Sequence, residues 1–455
     1  MTSVNPIRFP DLGSRAAMTR RAWWLVVLNV LLPGSVQLLA GSRRLGRIGV
    51  VATWLLWLLV VVVVVLYLLR PDVLVTVATN AITLSVVQGI AVGYALLWLV
   101  LTVDTLRLVR LVRAAPRARP LVAGVAMVVV AALVAGAGYG VVVAGSARSL
   151  ITDVFSGGQM ADPVDGKYNI MLLGGDAGSG RVGLRPDSIS VVSVDADTGA
   201  ATIIGIPRNM QKVPFPDDSP LAEVFPDGYD CGVDCLIDYL YTYGEEHPEL
   251  YPDAESEGSE PGVEAMRDAV AGVTGLTIQY YVLIDMGGFK KLINALGGID
   301  IDVKERLPIG GTLNSDGELV GVTGWIEVGE QHMDGRTALW YARSRESTTD
   351  YDRMERQREV QEAILKQFSP TTVLTKFQAI ANAGKQIVKT DIPQGMLGGF
   401  VDLAQKARSL DVTDLELVPA NGVSMVYPDF DEIHQMVQDA LAEAVASATS
   451  STSSG

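Results

Sequence analysis

The chain is poor in the residues that build most metal and nucleophilic sites. Its 455 residues include two cysteines and three histidines, too few for a disulfide framework and too scattered for a Cys/His zinc site of four ligands. His247, His332 and His434 lie far apart and read as core or surface residues. No nucleophilic serine motif, histidine pair or fixed-period repeat is visible. Lysine is absent from the first 147 residues, which hold only three acids, Asp11, Asp72 and Asp104. The net charge of -15 therefore originates in the remainder of the chain, and an acidic outer half argues against nucleic acid as a partner. Cys231 and Cys235, in CGVDC, read as a loop staple in an oxidising compartment, with free thiols as the alternative.

What the first part does have is apolar length. Four segments stand out, 23–40, 48–69, 82–102 and 121–144. The last three each carry the roughly 20 apolar residues that cross a bilayer. The first is broken by Pro33, Gly34 and Ser35 and reads as a re-entrant or interfacial hairpin. Arginine sets the direction, since basic residues beside span ends stay in the cytoplasm. Arg8, Arg15, Arg20 and Arg21 precede the first segment, and Arg43, Arg44 and Arg47 follow it. The connection after Leu69 has only Arg70 beside Asp72, whereas the next holds Arg107, Arg110, Arg113, Arg117 and Arg119. Residues 1–145 thus read as a multi-pass membrane region with three crossings, leaving everything after Gly145 outside the cytoplasm. Four full crossings, with a cytoplasmic second half, are the alternative. No cleaved signal peptide is expected, because no small-residue cleavage pattern follows the first segment.

Residues 146–167 read as a linker broken by Gly157, Gly158, Pro163 and Gly166. Strands are expected at 168–173, 189–194 and 201–206, paired antiparallel because they follow so closely. That topology carries Asp176, Asp187 and Arg208 to one edge of the sheet. Helices at 263–273 and 289–296 alternate with strands at 278–284 and 299–303, which makes the second half an α/β domain over 168–440. The acidic, turn-rich stretch 214–261 reads as a mobile insertion or lid. The Ser/Thr-rich end, 447–455, reads as a disordered tail.

The glycine-rich stretch LLGGDAGSGRVGLRPDSISVVSVD has P-loop spacing at Gly175 and Gly180, but Arg181 and Val182 stand where lysine and a metal-binding hydroxyl belong, which weakens a nucleotide reading. ALWYARSRESTTDYDRMERQREVQEAILKQF is more informative. Arg343 and Arg345 alternate as on a strand or extended end, while Arg353 and Gln357 share a face of a helix starting near Asp352. A solvated charged helix would explain the glutamates. It does not explain five arginines between Arg343 and Arg358 in an acidic domain, a concentration that suits a diphosphate held at a helix N-terminus. Trp325, Trp340 and the tyrosines 239, 241 and 243 read as packing residues.

Taken in order, NIMLLGGDAG, RPDSISVVSVD, IGIPRNM, YYVLIDMGGFKKLINALGGIDIDV, VGEQHMDGRTALWYARSR and DRMERQREV resemble the LytR-CpsA-Psr (LCP) family of cell-wall glycopolymer ligases over residues 168–368. The resemblance implies a three-layer α/β/α extracytoplasmic domain with an apolar tunnel for a polyprenyl chain and a bound divalent cation, Mg²⁺ or Mn²⁺. It assigns Asp176 and Asp187 to the metal, and Arg185, Arg208, Arg343, Arg345, Arg353 and Gln357 to the substrate diphosphate. Asp176, Asp187 and Arg345 become the catalytic set, with either aspartate as the base. The implied partners are a polyprenyl diphosphate-linked glycopolymer, peptidoglycan and the bacterial cell membrane. The implied activity is phosphotransfer joining the two polymers, with diphosphate hydrolysis as a side reaction. A membrane-anchored regulator or lipid sensor, and a polyprenyl diphosphate phosphohydrolase, are the alternatives. Asn209 departs from the aspartate usual after the family's Ile-Pro-Arg, and Leu236 from the basic residue usual before its Tyr-x-Tyr-Gly.

Overall fold

The computed structural model describes residues 7–8, 10–69, 73–74, 77, 81–154, 158–175, 185–344, 348–367 and 388–453. It divides into two units, Met1–Arg148 and Ser149–Gly455.

The first unit is helical: α1 (Arg15–Leu31), α2 (Ser35–Ala40), α3 (Arg43–Leu69), α4 (Ala81–Val109) and α5 (Ala118–Val154). Three stretches are long and apolar enough to cross a membrane, Arg43–Leu69, Ile82–Arg113 and Ala118–Gly140. Helix α1 is different. It stops at Leu32, and Gly34 turns the chain with φ 96°, a conformation that costs glycine no Cβ clash. The turn packs on small residues of α3. A Cβ on Gly34 would lie 2.5 Å from the Val50 nitrogen, and one on Gly49 would lie 2.7 Å from the Gly34 Cα.

Polar side chains then fix both limbs of this hairpin against the end of α4. Arg21 Nη1 donates to the Leu108 carbonyl at 2.7 Å, Asn29 Nδ2 to Thr102 Oγ1 at 3.0 Å, and Gln37 Nε2 to the Leu101 carbonyl at 2.9 Å. On the return limb, Gly41 lies beside Leu108 again. The hairpin thus enters and leaves at one level of α4. From Leu108 to Leu101 it runs along about 10 Å of α4.

The second unit is built on strands β1 (Lys167–Gly175), β2 (Pro186–Asp195), β3 (Ala201–Ile206), β4 (Tyr280–Asp285), β9 (Val388–Thr390) and β10 (Thr413–Glu416). They form one six-stranded sheet in the order β10-β3-β2-β1-β4-β9. β1, β2 and β3 pair antiparallel, as their short connections require, and β4 lies parallel to β1 after a helical crossover. Helices α6 (Pro220–Val224), α7 (Tyr239–Glu246) and α8 (Pro261–Thr274) precede β4. After it come α9 (Met286–Leu296), the ladder of β5 (Ile299–Val303) with β8 (Gly329–Met333), the hairpin β6 (Leu307–Leu313) with β7 (Leu319–Ile326), α10 (Gly335–Arg343) and α11 (Asp350–Gln367). α12 (Leu397–Ala407) and α13 (Phe430–Ser453) complete the chain order.

Alternation along the strands divides the apolar residues. Met171, Leu173, Val191, Tyr281 and Leu283 pack with Met266 and Val270 of α8 and Ile433 and Val437 of α13. Leu172, Val282 and Ile284, offset by one residue, face a cavity walled by α9, α10 and α11.

Three expectations are corrected. The linker 146–167 is helical as far as Val154, because α5 continues without a breaker until the glycines. The stretch 214–261 is no mobile lid. Leu221, Tyr229, Ile237, Leu240 and Tyr241 lie in the main core, and a disulfide joins Cys231 to Cys235. The tail is helical to Ser453, since small residues let α13 pack closely, with Ala444 and Ala448 buried against Ala200.

Candidate functional site

The site forms where strands end. β1 finishes at Gly175, opposite Pro186 at the start of β2 and Asp285 at the end of β4. β3 delivers Arg208 to the same edge two residues after Ile206, which pairs with Ile189. Arg208 Nη1 donates to Asp187 Oδ1 at 2.5 Å, and its Nη2 reaches Asp350 Oδ2 at 3.5 Å. The expected meeting of Asp187 and Arg208 is thus observed. Asp176 and Arg345 lie outside the described residues. Arg185, just ahead of β2, places its guanidinium 3.8 Å from the centre of the Tyr239 ring, a cation–π contact that holds an exposed arginine in place.

Helices α10 and α11 supply the other arginines. Arg343 is the last residue of α10, not an extended residue as its spacing suggested. Asp334 starts this short helix by accepting from the Thr337 amide at 2.8 Å, and a charged residue at each end obscures the helical period. α11 begins at Asp350, near the expected start, where Thr349 and Asp352 cap one another. Arg353 and Gln357 follow one turn apart on one face. Arg353 is 6% exposed and lies 3.6 Å from Asp350. Gln357 Nε2 donates to the Ala342 carbonyl at 3.3 Å, so its amide is anchored to the end of α10 and its carbonyl oxygen is the atom left to receive a donor.

Beside it, buried Arg356 donates from Nε to the Tyr341 carbonyl at 3.0 Å, from Nη2 to the Ser344 carbonyl and to Thr348 Oγ1, and from Nη1 to Glu305 at 3.3 Å. The last carbonyls of a helix have no intrahelical donors. Arg356 and Gln357 supply them, and in doing so fix the turn that carries Arg343.

Two spaces meet here. A small one of about 20 Å³ lies between Asp187, Arg208, Arg353, Gln357 and Arg358. The larger, of about 330 Å³, is lined by Leu172, Val282, Ile284, Phe289, Leu339 and Ile364 among others and also by Arg343, while Asp187 and Gln357 line both spaces. An apolar chain with an anionic head matches that division.

Sequence reasoning missed Asp238. It precedes α7 and looks like a helix-capping aspartate, but it makes no cap bond and is 6% exposed. Burial pushes its carboxyl up to about 6, against the pull of Arg208 and Arg185 and with a further push from Asp187. Gln361, which donates to Ser190 Oγ at 3.0 Å, was also missed, and Arg358, noted only as one of the five clustered arginines, is buried between Asp414 and Glu416. Their helical spacing from Gln357 and Met354 was the available signal.

The described acids that touch this edge are hard oxygen donors of the kind Mg²⁺ and Mn²⁺ take. Asp187 lines the small space beside Arg208 and Arg353, and Asp238 Oδ1 is buried without a hydrogen bond. Among the described residues no three His, Cys, Asp or Glu side chains gather into a metal-holding group. A cation here needs oxygens from outside them.

The LytR_cpsA_psr family model matches residues 147–444. Relatives include the cell wall biosynthesis protein LcpA of Corynebacterium glutamicum, 27% identical over 365 residues that cover 72% of this chain and 66% of LcpA. The polyisoprenyl-teichoic acid–peptidoglycan teichoic acid transferase TagV of Bacillus subtilis is 28% identical, over 36% of this chain and 43% of TagV. The transferase TagU of Halalkalibacterium halodurans is 32% identical, over 32% of this chain and 44% of TagU. This chain thus spans under half of these TagV and TagU transferases and about two thirds of LcpA. The crystal structure of B. subtilis TagV aligns with a TM-score of 0.41 at 24% identity, covering 62% of this chain and 99% of that one. On the family match, which takes in the sheet, the cavity and every arginine of the site, the chain belongs to the LytR-CpsA-Psr family.

Proposed function

We propose that the protein transfers a glycopolymer from a polyprenyl diphosphate carrier to a sugar hydroxyl of peptidoglycan, forming a phosphodiester and releasing polyprenyl phosphate. The observation that carries this reading is the apolar cavity whose lining includes Asp187, Arg343 and Gln357, of which Asp187 and Gln357 also line the small space beside Arg208 and Arg353. The lipid lies along Leu172, Ile284 and Phe289, where burial holds it. The diphosphate lies at the charged edge, against Arg208, Arg343 and Arg353, with Arg185 and Arg345 completing the set. Guanidinium groups grip phosphate oxygens bidentately and stabilise the charge that grows on them in the transition state. A divalent cation, Mg²⁺ or Mn²⁺, held by Asp187 and Asp176, would neutralise charge on the diphosphate.

The acceptor oxygen attacks the phosphorus that bears the glycopolymer. Its proton passes to a carboxylate of the site, and the bond from that phosphorus to the bridging oxygen breaks. Polyprenyl phosphate leaves with the bridging oxygen. The domain is read as a three-layer α/β/α fold outside the cytoplasm of a multi-pass protein in the bacterial cell membrane. The hairpin α1–α2, which returns to the level of α4 where it entered, supports an odd number of crossings.

The test is transfer by the full chain with labelled lipid-linked donors, Mg²⁺ and peptidoglycan. Label should move into insoluble wall material only when the acceptor is present. Free glycopolymer phosphate without acceptor would make the protein a hydrolase. Donor binding without turnover would make it a sensor.

A further inference from the structure

Thirteen arginines and no lysine lie in the first 147 residues, whereas the remainder has ten lysines to thirteen arginines. Either residue sets membrane direction, so direction alone does not explain the choice. Only arginine offers a planar fork that grips a phosphate through two parallel hydrogen bonds.

The fold of the first unit gathers these arginines. All but Arg70 stand ahead of α1, near the starts of α1, α3 and α5, or around the end of α4. The base of the hairpin ties those ends together. Arg21 bonds the Leu108 carbonyl, the Ala115 amide donates to Thr19 Oγ1 at 2.9 Å, and Arg8 Nη2 reaches the Gly41 carbonyl at 3.4 Å. The described acids at this end are Asp11, which accepts from the Gly13 amide, and Asp104, which accepts from Gln37 Nε2.

Two of the arginines are held beside each other. Half-buried Arg21 is anchored along one edge, from Nε to the Ile7 carbonyl at 2.8 Å and from Nη1 to the Leu108 carbonyl at 2.7 Å. Two residues past Leu108, exposed Arg110 takes the left-handed conformation, φ 50° and ψ 57°, which is unfavourable for a side chain with a Cβ. Burial first, and then the Arg110 charge, push the Arg21 guanidinium down. A strained backbone thus holds two like charges together, and an anion seated on both would relieve their repulsion.

Other exposed arginines stand one helical turn from exposed apolar side chains. Arg20 is so placed with Trp24 in α1, Arg44 with Ile48 and Arg47 with Val51 in α3, and Arg107 with Val103 in α4. In each pair the apolar member lies toward the apolar stretch of its helix. This is the layering of a phospholipid, with phosphate above acyl chain. A soluble anion calls for no such apolar neighbour.

We propose that this end of the first unit binds the headgroup phosphate of anionic phospholipids, with Arg21 and Arg110 as its seat. The site is separate from the sheet-edge arginines and rests on the reading of the long apolar helices as membrane-embedded.

The test places the full chain in phosphatidylcholine nanodiscs with a trace of spin-labelled phosphatidylglycerol or spin-labelled phosphatidylcholine. Electron paramagnetic resonance then reads the fraction of label slowed by the protein. The parent should favour phosphatidylglycerol about fivefold or more, and Arg21→Lys with Arg110→Lys, which keeps every charge and so the membrane direction, should cut that preference about threefold or more. Should the double variant fail to fold, the exposed Arg110→Gln decides alone, with a loss of about the same size. Inorganic phosphate at matched ionic strength should leave the preference unchanged.

Equal association of the two lipids with the parent would overturn the site, as would a preference fully kept in the variants. Displacement by inorganic phosphate would make it a seat for a soluble anion and overturn the lipid assignment. Absence of slowed label of either kind would remove the membrane reading as well.

Discussion

Arg208 shows how much of the site depends on single charges. It bonds Asp187, approaches Asp350 and shares a backbone bond with Asp238. The buried Asp238 carboxyl also predicts a pH effect on stability. Its folded value, about 6, lies above the ordinary 3.8, so between these values the folded state binds the extra proton. The stability this group contributes is full below about 3.8 and is lost as pH rises through about 6. Asp238→Asn, which cannot ionise, escapes that loss. Its melting temperature should exceed the parent's by a few degrees at pH 7 to 8, and the difference should shrink as pH falls from 6 to 4. A difference independent of pH would show that Asp238 is not a buried, strained acid. Arg208 and Asp187 were legible in the sequence because short antiparallel connections force three strand ends together. Asp238 was not, since nothing in IDYLYTYG tells whether an aspartate before a helix caps it or turns inward.

Between residues and fold stands the junction of α10 and α11. The sequence suggested an extended segment at Arg343 because alternate arginines mimic a strand. The structure ends a nine-residue helix there and caps it from the next helix through Arg356 and Gln357. Arg356→Ala would leave the Tyr341 and Ser344 carbonyls without their donor. It should cost about 1–3 kcal/mol of unfolding free energy, measured by denaturant unfolding, and lower the rate of transfer through displacement of Arg343. Arg356→Lys should recover only part of both, since an ammonium cannot reproduce the planar fork. Full recovery by lysine would reduce Arg356 to a charge. The hairpin β6–β7 and the ladder β5–β8 sit apart from the main sheet. The strand at 299–303 was foreseen from its alternation, but its partner 329–333 was hidden, because Gly329 and three polar residues carry no such pattern.

At the scale of the whole molecule, arginine placement and the hairpin make one statement about sidedness. A reporter fused after Ser146 should lie outside the cytoplasm and one fused at Arg113 inside. A cytoplasmic signal from Ser146 would contradict both three crossings and cell-wall chemistry. The long apolar helices were legible from apolar length alone, whereas how far the hairpin α1–α2 runs along α4 depended on contacts no sequence shows, such as Gln37 with Leu101 and Gly34 with Gly49. The cavity and the charged edge meet only once the sheet and both helices are assembled, and in the proposed reaction lipid and diphosphate lie across that boundary so that one P–O bond breaks. The most direct measurement tracks the two phosphorus atoms separately, with donors labelled either at the lipid-side or at the glycopolymer-side phosphate, incubated with the full chain, Mg²⁺ and peptidoglycan. Glycopolymer-side label should enter the insoluble wall while lipid-side label leaves as polyprenyl monophosphate. Both labels in the wall, or both remaining with the lipid, would contradict it.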